Sequence, residues 1–171
     1  TLYCDRRQKK IQQNGLRISK MSDMVGAFKV VLFCPEHLSV VKEGPSMRRN
    51  FLDVAISQIK PLYMRSLQRY QTILKERNTL IKNAVENRQA FDSTVDVWSE
   101  QLAHEASKIT SYRVEYLSQI RGYVEECFSD MTGKREFPEL EYISSCKLSE
   151  NELYDEKKVE ESFCELYFSR H

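Results

Sequence analysis

Residues 42–53, KEGPSMRRNFLD, mark the point at which the hydrophobic pattern of the chain changes. A Gly-Pro pair signals a turn, and apolar residues then recur every three or four positions, which predicts an α-helix. Arg48 and Arg49 fall in the first turn of this helix. The positive end of the helix dipole disfavours a cation there by roughly 0.3–1 kcal/mol, so the pair requires an explanation.

Two explanations of the arginine pair follow from its neighbours. Asp53 lies four residues after Arg49, so the two side chains can form an exposed ion pair that contributes about 0.3–0.5 kcal/mol. Alternatively, the arginines and the helix start hold an anion, since helix N-termini favour phosphate. We also expect a joint here between a strand-rich part and a helical part. At least one arginine would bind a buried or half-buried acidic or carbonyl partner across it, with Asp53 fixing its direction.

The residues before this stretch predict strands. Asn14 and Gly15 separate two short half-apolar runs, which is typical of a two-residue β-hairpin. The run AFKVVLFC at residues 27–34 is rich in Val and Phe. It predicts a buried strand that ends at Pro35.

The residues after this stretch predict long helices. The first helix should end at residues 58–60, because Pro61 lacks an N–H and its ring clashes with the preceding turn. A second apolar stripe covers residues 62–85, and a third covers residues 95–127 before Gly133. The two stripes are joined by a short break, so we expect an antiparallel helix pair.

The C-terminal part returns to a strand and a helix. Residues 137–147, FPELEYISSCK, predict a strand. From Leu148 the pattern is helical, with Ser149 as the N-cap and Glu152 at the third helical position. The expected fold class is α+β and mostly helical, with strands and a hairpin, an arm of long antiparallel helices, and a strand–helix return. These parts would cover residues 1–45, 46–135 and 136–171.

Composition limits the classes of protein to be considered. The 171 residues suffice for one domain with a core, and the net charge of +1 gives no global basic field, so any DNA contact requires a local patch. Five cysteines without a C-x-x-C spacing disfavour a disulfide framework or a cysteine zinc site, and favour reduced, mostly buried thiols. No run resembles a membrane span or a signal peptide, and the first residue is Thr. We therefore expect a cytoplasmic chain, cut from a longer protein and without a membrane partner.

No complete active site is visible in the sequence. The phosphate-loop motif G-x-x-x-x-G-K-[ST] is absent, because Arg135 stands where Ser or Thr is required. His104 and Glu105 begin like a zinc motif, but Lys108 replaces its second histidine, so His104 is expected on a helix surface. We expect no catalytic residue, metal or cofactor within these residues alone.

The opening stretch and its surroundings resemble the signature of the RecF family of bacterial recombination mediators. That signature has a Pro-acidic pair, two aliphatic residues, a Gly-small-Pro turn, Arg-Arg and an aromatic-aliphatic-Asp triplet. Glu43 departs from it, since the family usually has Gly at this position. Residues 57–82, residues 98–117 and the hairpin at residues 9–15 also resemble the family. The signature residues here are Pro35, Glu36, Val40, Val41, Gly44, Pro45, Arg48, Arg49, Phe51, Leu52 and Asp53.

This resemblance implies a parent protein with an ATPase head of the ABC and SMC type, using ATP and magnesium. The phosphate loop, the class's signature motif and its Walker B acid are absent here. The chain would therefore be the middle segment of a RecF protein with its helical arm (domain II), inactive by itself. Glu36 stands about where that class has its Q-loop, and would reach the magnesium or the attacking water.

The resemblance also implies partners in DNA repair, DNA replication and the SOS response. They are duplex DNA, gapped DNA or a junction of single- and double-stranded DNA, RecR, and a second copy of the parent in the ATP state. The alternatives are a helical lid that touches no ligand, and an unrelated small α+β interaction domain. The basic residues that would contact DNA or a partner are Arg6, Arg7, Lys9 and Lys10 on the hairpin and Arg65, Arg69, Lys75 and Arg77 on the arm.

Overall fold

The computed structural model describes residues 2–4, 9–20, 24–27, 29–86 and 88–169. They belong to two compact units, Thr1–Met64 and Arg65–His171, whose boundary falls inside a long helix. The described residues are mostly helical with one small antiparallel sheet, so the predicted α+β, mostly helical class is confirmed. The division into three parts at residues 45 and 135 stays a prediction.

The first unit begins with an antiparallel sheet of three short strands. The strands are β1 (Leu2–Cys4), β2 (Lys9–Gln13) and β3 (Leu16–Ile18), in the order β1-β2-β3. Between β2 and β3, Asn14 has a φ of 52° and Gly15 a φ of 83°. Positive φ at both central residues suits a two-residue turn whose twist matches the strands. The predicted hairpin is confirmed.

The predicted buried strand at residues 27–34 is wrong. The described residues of this run have no strand assignment, and Val31 and Phe33 are 99% and 84% exposed. The amide of Val30 donates to Oε1 of the Gln58 side chain at 2.8 Å, rather than to another strand. An apolar run becomes a buried strand only where a neighbouring strand and a second layer cover it.

Two helices of the first unit follow the predicted pattern, α2 (Pro45–Ile59) and the start of α3 (Pro61–Lys82). A short helix before them, α1 (Ser39–Lys42), was not predicted. Gly44 is the N-cap of α2, Pro45 takes the first helical position, and Lys60 is the C-cap immediately before Pro61. The break at Pro61 is therefore confirmed. Among the residues of this unit that the structure describes, the buried apolar side chains are Leu52, Ile56 and Tyr63.

Gly26 shows why the chain before α1 requires a glycine. Its φ is +88°, which strains any residue with a Cβ. A Cβ at this position would also lie 3.2 Å from the Gln58 carbonyl oxygen and 3.6 Å from Cγ of Pro61. The backbone thus passes close to the end of α2.

The second unit is built on α4 (Arg88–Thr132), a helix of 45 residues. It ends at Gly133, whose φ is +61°. The amide of Lys134 donates to the Ser129 carbonyl at 2.7 Å, and that of Gly133 to the Asp130 carbonyl at 3.3 Å. This is the Schellman pattern of a glycine-terminated helix, so the predicted end is confirmed.

The predicted antiparallel pairing of the two long helices is visible in their side-chain contacts. Arg77 of α3 donates to Ser99 of α4 at 2.9 Å. Arg69, eight positions earlier in α3, instead meets Glu105, six positions later in α4, at 3.5 Å. The residue number of the contact decreases along α3 while it increases along α4, which defines an antiparallel pair.

The predicted strand at residues 137–147 is also wrong. The segment has no strand assignment, and Arg121 of α4 donates to its Leu140 carbonyl at 3.1 Å and to the Glu150 carboxylate. The Leu140 carbonyl is thus bound by a side chain rather than by a second strand. Cys146 nevertheless enters the core.

The C-terminal helix begins later than predicted. Glu152 accepts from the Ser149 amide at 3.0 Å, as one half of the predicted capping box requires, and from the Ser149 hydroxyl at 2.7 Å. Ser149 itself is not a helix N-cap, because Asn151 and Asp155 occupy the N-cap positions. The two bonds from Ser149 fix a 3-10 turn, Glu152–Tyr154, and Asp155 caps helix α5 (Glu156–Phe168) by accepting from the amides of Lys157 and Lys158. The core that joins this region to α4 contains Ala103, Ala106, Val114, Cys146, Leu153, Val159 and Phe163.

Candidate nucleic-acid interface

The arginine pair at the start of α2 lies on the surface. Arg48 and Arg49 are both exposed, and Nη2 of Arg48 donates to the Val41 carbonyl at 3.5 Å. Arg48 thus has a carbonyl partner, but the contact is long and exposed, so the predicted burial of that partner is wrong. Among the other signature residues, Gly44, Pro45 and Phe51 are exposed as well, whereas Leu52 is buried.

Asp53 has a partner that the sequence analysis did not predict, and its predicted role toward the arginines stays a prediction. Its carboxylate Oδ1 accepts a hydrogen bond from the hydroxyl of Tyr63, which is fully buried at the start of α3. Tyr63 was not singled out in the sequence, although it follows Pro61 by two residues. The acid therefore connects the two sides of the helix break.

Glu36 lies in a 3-10 turn, Pro35–Leu38, and is exposed. Its own backbone N–H, a hydrogen bond from the Cys34 thiol and the nearby His37 lower the pKa of the Glu36 carboxyl below its ordinary value. An exposed, readily ionised carboxylate can bind a hard cation such as magnesium. Among the described residues, no group of three or more His, Cys, Asp or Glu side chains could hold a metal ion.

The candidate DNA contacts fall into several environments. Arg65 and Arg69 are exposed and lie one helical turn apart on α3. Lys75 borders a different surface of the helix, beside Lys82. Lys9 and Lys10 lie in β2, whereas Arg6 and Arg7 lie outside the described residues.

Arg77 is buried and structural. Its Nε donates to the Ser99 hydroxyl and its Nη2 to the Tyr167 carbonyl, both at 2.9 Å. The guanidinium also lies 5.7 Å from the centre of the Tyr167 ring. Burial lowers the pKa of Arg77, against the opposite effect of Tyr167 and Tyr70. Because this buried cation joins α3, α4 and α5, it is not exposed to a phosphate as the sequence predicted.

A groove of about 570 Å³ lies between α3 and α4. Arg65, Arg69 and Thr72 of α3 line one side, while His104 and Glu105 of α4 line the other. Arg69 is 71% exposed on its side chain, yet it reaches Glu105, which is only 4% exposed. Two exposed cations and one buried acid thus line the groove.

Glu105 has one oxygen in contact and one without a partner. Oε1 lies 3.5 Å from Arg69, while Oε2 is buried with no hydrogen-bond partner among the described residues. Its neighbour His104 contacts Glu160 of α5 at 3.0 Å through Nδ1, at the helix surface as expected. The sequence did contain a signal for Glu105, because it lies between Leu102 and Ile109 on the apolar stripe of α4.

No helix in the described ranges combines the length and the apolar character that a bilayer crossing needs.

Among the described cysteines, Cys146 is buried, Cys127 is exposed, and Cys34 and Cys164 are intermediate, all four without a disulfide. The expectation of mostly buried thiols therefore holds only in part.

The relatives that this chain resembles are named DNA replication and repair proteins. No family model matches the chain. A relative in Ruminiclostridium cellulolyticum, named DNA replication and repair protein RecF, is 40% identical over 147 residues, which are 86% of this chain and 39% of the relative. The protein of that name in Staphylococcus carnosus is 35% identical over 160 residues, which are 91% of this chain and 43% of the relative.

The solved structures define the particular family, RecF. The chain superimposes on the "recombination mediator protein RecF-ATPrS in RecFOR pathway" with a TM-score of 0.84 at 29% identity, covering 93% of this chain and 42% of that one. The RecF-ATP structure of that pathway gives 0.79 at 26% identity, covering 93% and 41%. The chain corresponds to a segment of a RecF protein, spanning about two fifths of the curated relatives it matches.

Proposed function

We propose that this chain is the arm-bearing segment of a RecF-like DNA replication and repair protein, and that α3 contacts DNA phosphates. The observation that carries this proposal is the exposed pair Arg65 and Arg69, one turn apart on α3. The net charge of +1 gives the chain no overall basic field, but two adjacent cations on one helix face form a local basic patch.

The relatives support DNA as the partner, because they are named DNA replication and repair proteins. We infer that the longer protein binds duplex DNA, gapped DNA or a junction of single- and double-stranded DNA. RecR and a second copy of the longer protein are further proposed partners, as the neighbours are described as part of the RecFOR pathway. We also propose roles in recombination and the SOS response, and a bacterial cytoplasmic location.

We also propose that the longer protein binds ATP with magnesium, since solved neighbours are described as RecF-ATP and RecF-ATPrS. The present sequence lacks the G-x-x-x-x-G-K-[ST] loop, so other parts of that protein would hold the phosphates. Glu36 fits a ligand for the magnesium because it is exposed and has a lowered pKa. The signature stretch at residues 42–53 would then join the ATPase part to the arm.

The DNA proposal is tested by titrating a fluorescent gapped duplex with the chain at two salt concentrations. Two phosphate contacts predict a loss of affinity of about tenfold between about 50 and 200 mM salt. Binding that is absent at low salt, or insensitive to salt, contradicts a DNA contact in this segment. A parallel titration with ATP should show no tight binding, and tight binding would overturn the assignment of the phosphate site to other parts of the protein.

A second candidate role is a helical lid that positions the longer protein without touching a ligand. The observation that favours it is the buried Arg77, which joins three helices. Charge reversal of Arg65 and Arg69 distinguishes the roles in the full-length protein. DNA repair that is unaffected by the reversal supports the lid, whereas loss of repair supports the DNA contact.

A further inference from the structure

One side of the C-terminal third of α4 is covered, and the opposite side is open. On the covered side, Arg121 donates to the Leu140 carbonyl at 3.1 Å and to the Glu150 carboxylate. Successive positions of a helix turn by about 100°, so Tyr123 points about 200° away from Arg121. Tyr123 is 71% exposed, and Met131, about two turns further on, is 77% exposed. The core that the structure describes therefore does not use this side of the helix.

The open side has the spacing of a helix-pairing surface. Intervals of four and three residues alternate along Tyr116, Ile120, Tyr123 and Cys127, and Met131 follows four positions later. Apolar residues at such intervals form the stripe along which one helix packs on another. Tyr116 and Ile120 are half-buried, whereas Cys127 is exposed together with Tyr123 and Met131. The stripe thus becomes more exposed toward the end of α4, and its spacing suits a helical occupant.

The charges in and after this part of α4 are mostly negative. Between residues 122 and 143 the sequence has six acids and two bases. Both bases, Lys134 and Arg135, follow the end of the helix, and Nε of Arg135 donates to the Thr132 carbonyl at 3.0 Å. The acids are all exposed, and they are Glu125, Glu126, Asp130, Glu136, Glu139 and Glu141. Acids beside an apolar stripe attract a cationic partner and repel a polyanion such as DNA.

We propose that the open side of α4, from Tyr116 to Met131, is a docking surface for a basic amphipathic helix of a partner protein. The apolar stripe packs on the apolar face of that helix. Glu126 and Asp130, which adjoin the stripe, attract its cations. A second copy of this chain is disfavoured as the occupant, because it would bring the same acids together.

The two long helices then have partners of opposite charge. Arg65 and Arg69 give α3 an exposed basic patch, whereas the end of α4 is acidic. The inference goes beyond the proposed function, since it assigns a protein-binding surface apart from the DNA contact. The two surfaces can therefore be tested separately.

The test uses two amphipathic peptides of about 18 residues, or about five helical turns. Both have the same leucine stripe, and their other positions are lysine in one and glutamate in the other. Fluorescence anisotropy of each labelled peptide is measured with the parent chain and with the double variant Tyr123→Ser, Met131→Ser. The control is Val85→Ser, Val97→Ser, which shortens two exposed apolar side chains elsewhere. Thermal melting should show that both variants fold, because all four positions are exposed.

The lysine peptide should bind the parent chain, and the glutamate peptide should not. Tyr123→Ser, Met131→Ser should weaken binding of the lysine peptide by about tenfold or more, since two apolar contacts are lost. The control should bind like the parent chain. Duplex DNA should bind the variant and the parent chain equally, so that failure here is distinct from failure of the DNA proposal.

A second pair of variants tests the acids. Glu126→Gln, Asp130→Asn should weaken binding of the lysine peptide at about 50 mM salt and much less at about 500 mM, because salt screens exposed charges. Glu156→Gln, Glu161→Gln removes the same charge from exposed positions on α5 and should have a smaller effect. Equal effects of the two pairs would show that the acids beside the stripe do not select the partner, which contradicts the inference.

Three further results would overturn the proposal. The first is that the lysine peptide does not bind, binds no better than the glutamate peptide, or binds the Tyr123, Met131 variant as tightly as the parent chain. The second is self-association in sedimentation equilibrium that Tyr123→Ser, Met131→Ser abolishes, since a second copy would then occupy the stripe. The third is that the full-length protein fails to bind the lysine peptide although this chain does, because another part of that protein would then cover the stripe.

Discussion

The hydroxyl of Tyr63, in the first turn of α3, donates to the carboxylate of Asp53 in α2. Pro61 interrupts the helix between them, and Lys60 has non-helical backbone angles. Tyr63 is fully buried and Asp53 is half-buried, so water does not compete strongly for this bond. The signature acid thus holds together the two sides of a break in the chain.

Tyr63→Phe should destabilise the chain by about 1–3 kcal/mol, because it leaves a half-buried carboxylate without this donor. The change is measured by urea unfolding followed by circular dichroism. Tyr123→Phe is the matched control, since Tyr123 is exposed on α4. Equal midpoints for the two variants would show that the bond contributes nothing to stability.

Arg77→Lys should lower the free energy of unfolding by roughly 1–3 kcal/mol. A lysine keeps the charge, but it lacks the planar fork that reaches both the Ser99 hydroxyl and the Tyr167 carbonyl. Arg65→Lys on the same helix is the control, because Arg65 is exposed and its change should cost less than about 0.5 kcal/mol. Two variants of equal stability would contradict the structural role of Arg77.

The cap at Ser149 predicts a dependence on pH. Hydrogen bonds from the Ser149 hydroxyl and amide lower the pKa of Glu152 below its ordinary value of 4.5. A lowered folded-state pKa contributes stability above the ordinary value, and that contribution is lost as the pH falls through the folded-state pKa. Glu152→Gln should therefore melt at a lower temperature than the parent chain near neutral pH.

The same difference should disappear in acid, where Glu152 is protonated in both states. Melting temperatures measured from neutral pH down to well below 4.5 check this. Glu161→Gln, an exposed change in α5, should show no such convergence. A difference for Glu152→Gln that persists unchanged in acid would show that the carboxylate charge is not what the cap uses.

Features with a local cause were predictable from sequence. The hairpin follows from Asn14 and Gly15, which accept positive φ, and the break between α2 and α3 follows from Pro61. Gly133 likewise ends α4. In each case one or two residues fix the backbone regardless of what packs against it.

Features that depend on distant partners were not predictable. Residues 27–34 and 137–147 have strand-like composition, but a strand requires a neighbour to pair with, and composition does not supply one. The candidate site shows the same limit. Arg65 and Arg77 are both basic positions of α3, and only the packing of α4 and α5 makes one exposed and the other buried.

The burial of Glu105 was predictable from the sequence. Its position on the apolar stripe of α4 indicates a buried side chain, whereas its neighbour His104 is exposed. An acid on an apolar helix face is informative because burial without full pairing costs free energy.

The salt dependence of DNA binding tests the central claim, that α3 contacts phosphates, most directly. The slope of log affinity against log salt is measured on a duplex for the parent chain and for the double variant Arg65→Ala, Arg69→Ala. Loss of two phosphate contacts should reduce the magnitude of the slope by about 2. The double variant Lys157→Ala, Lys158→Ala removes the same charge from exposed positions on α5 and should leave the slope unchanged. Equal slopes for the parent chain and the Arg65, Arg69 variant would contradict the account.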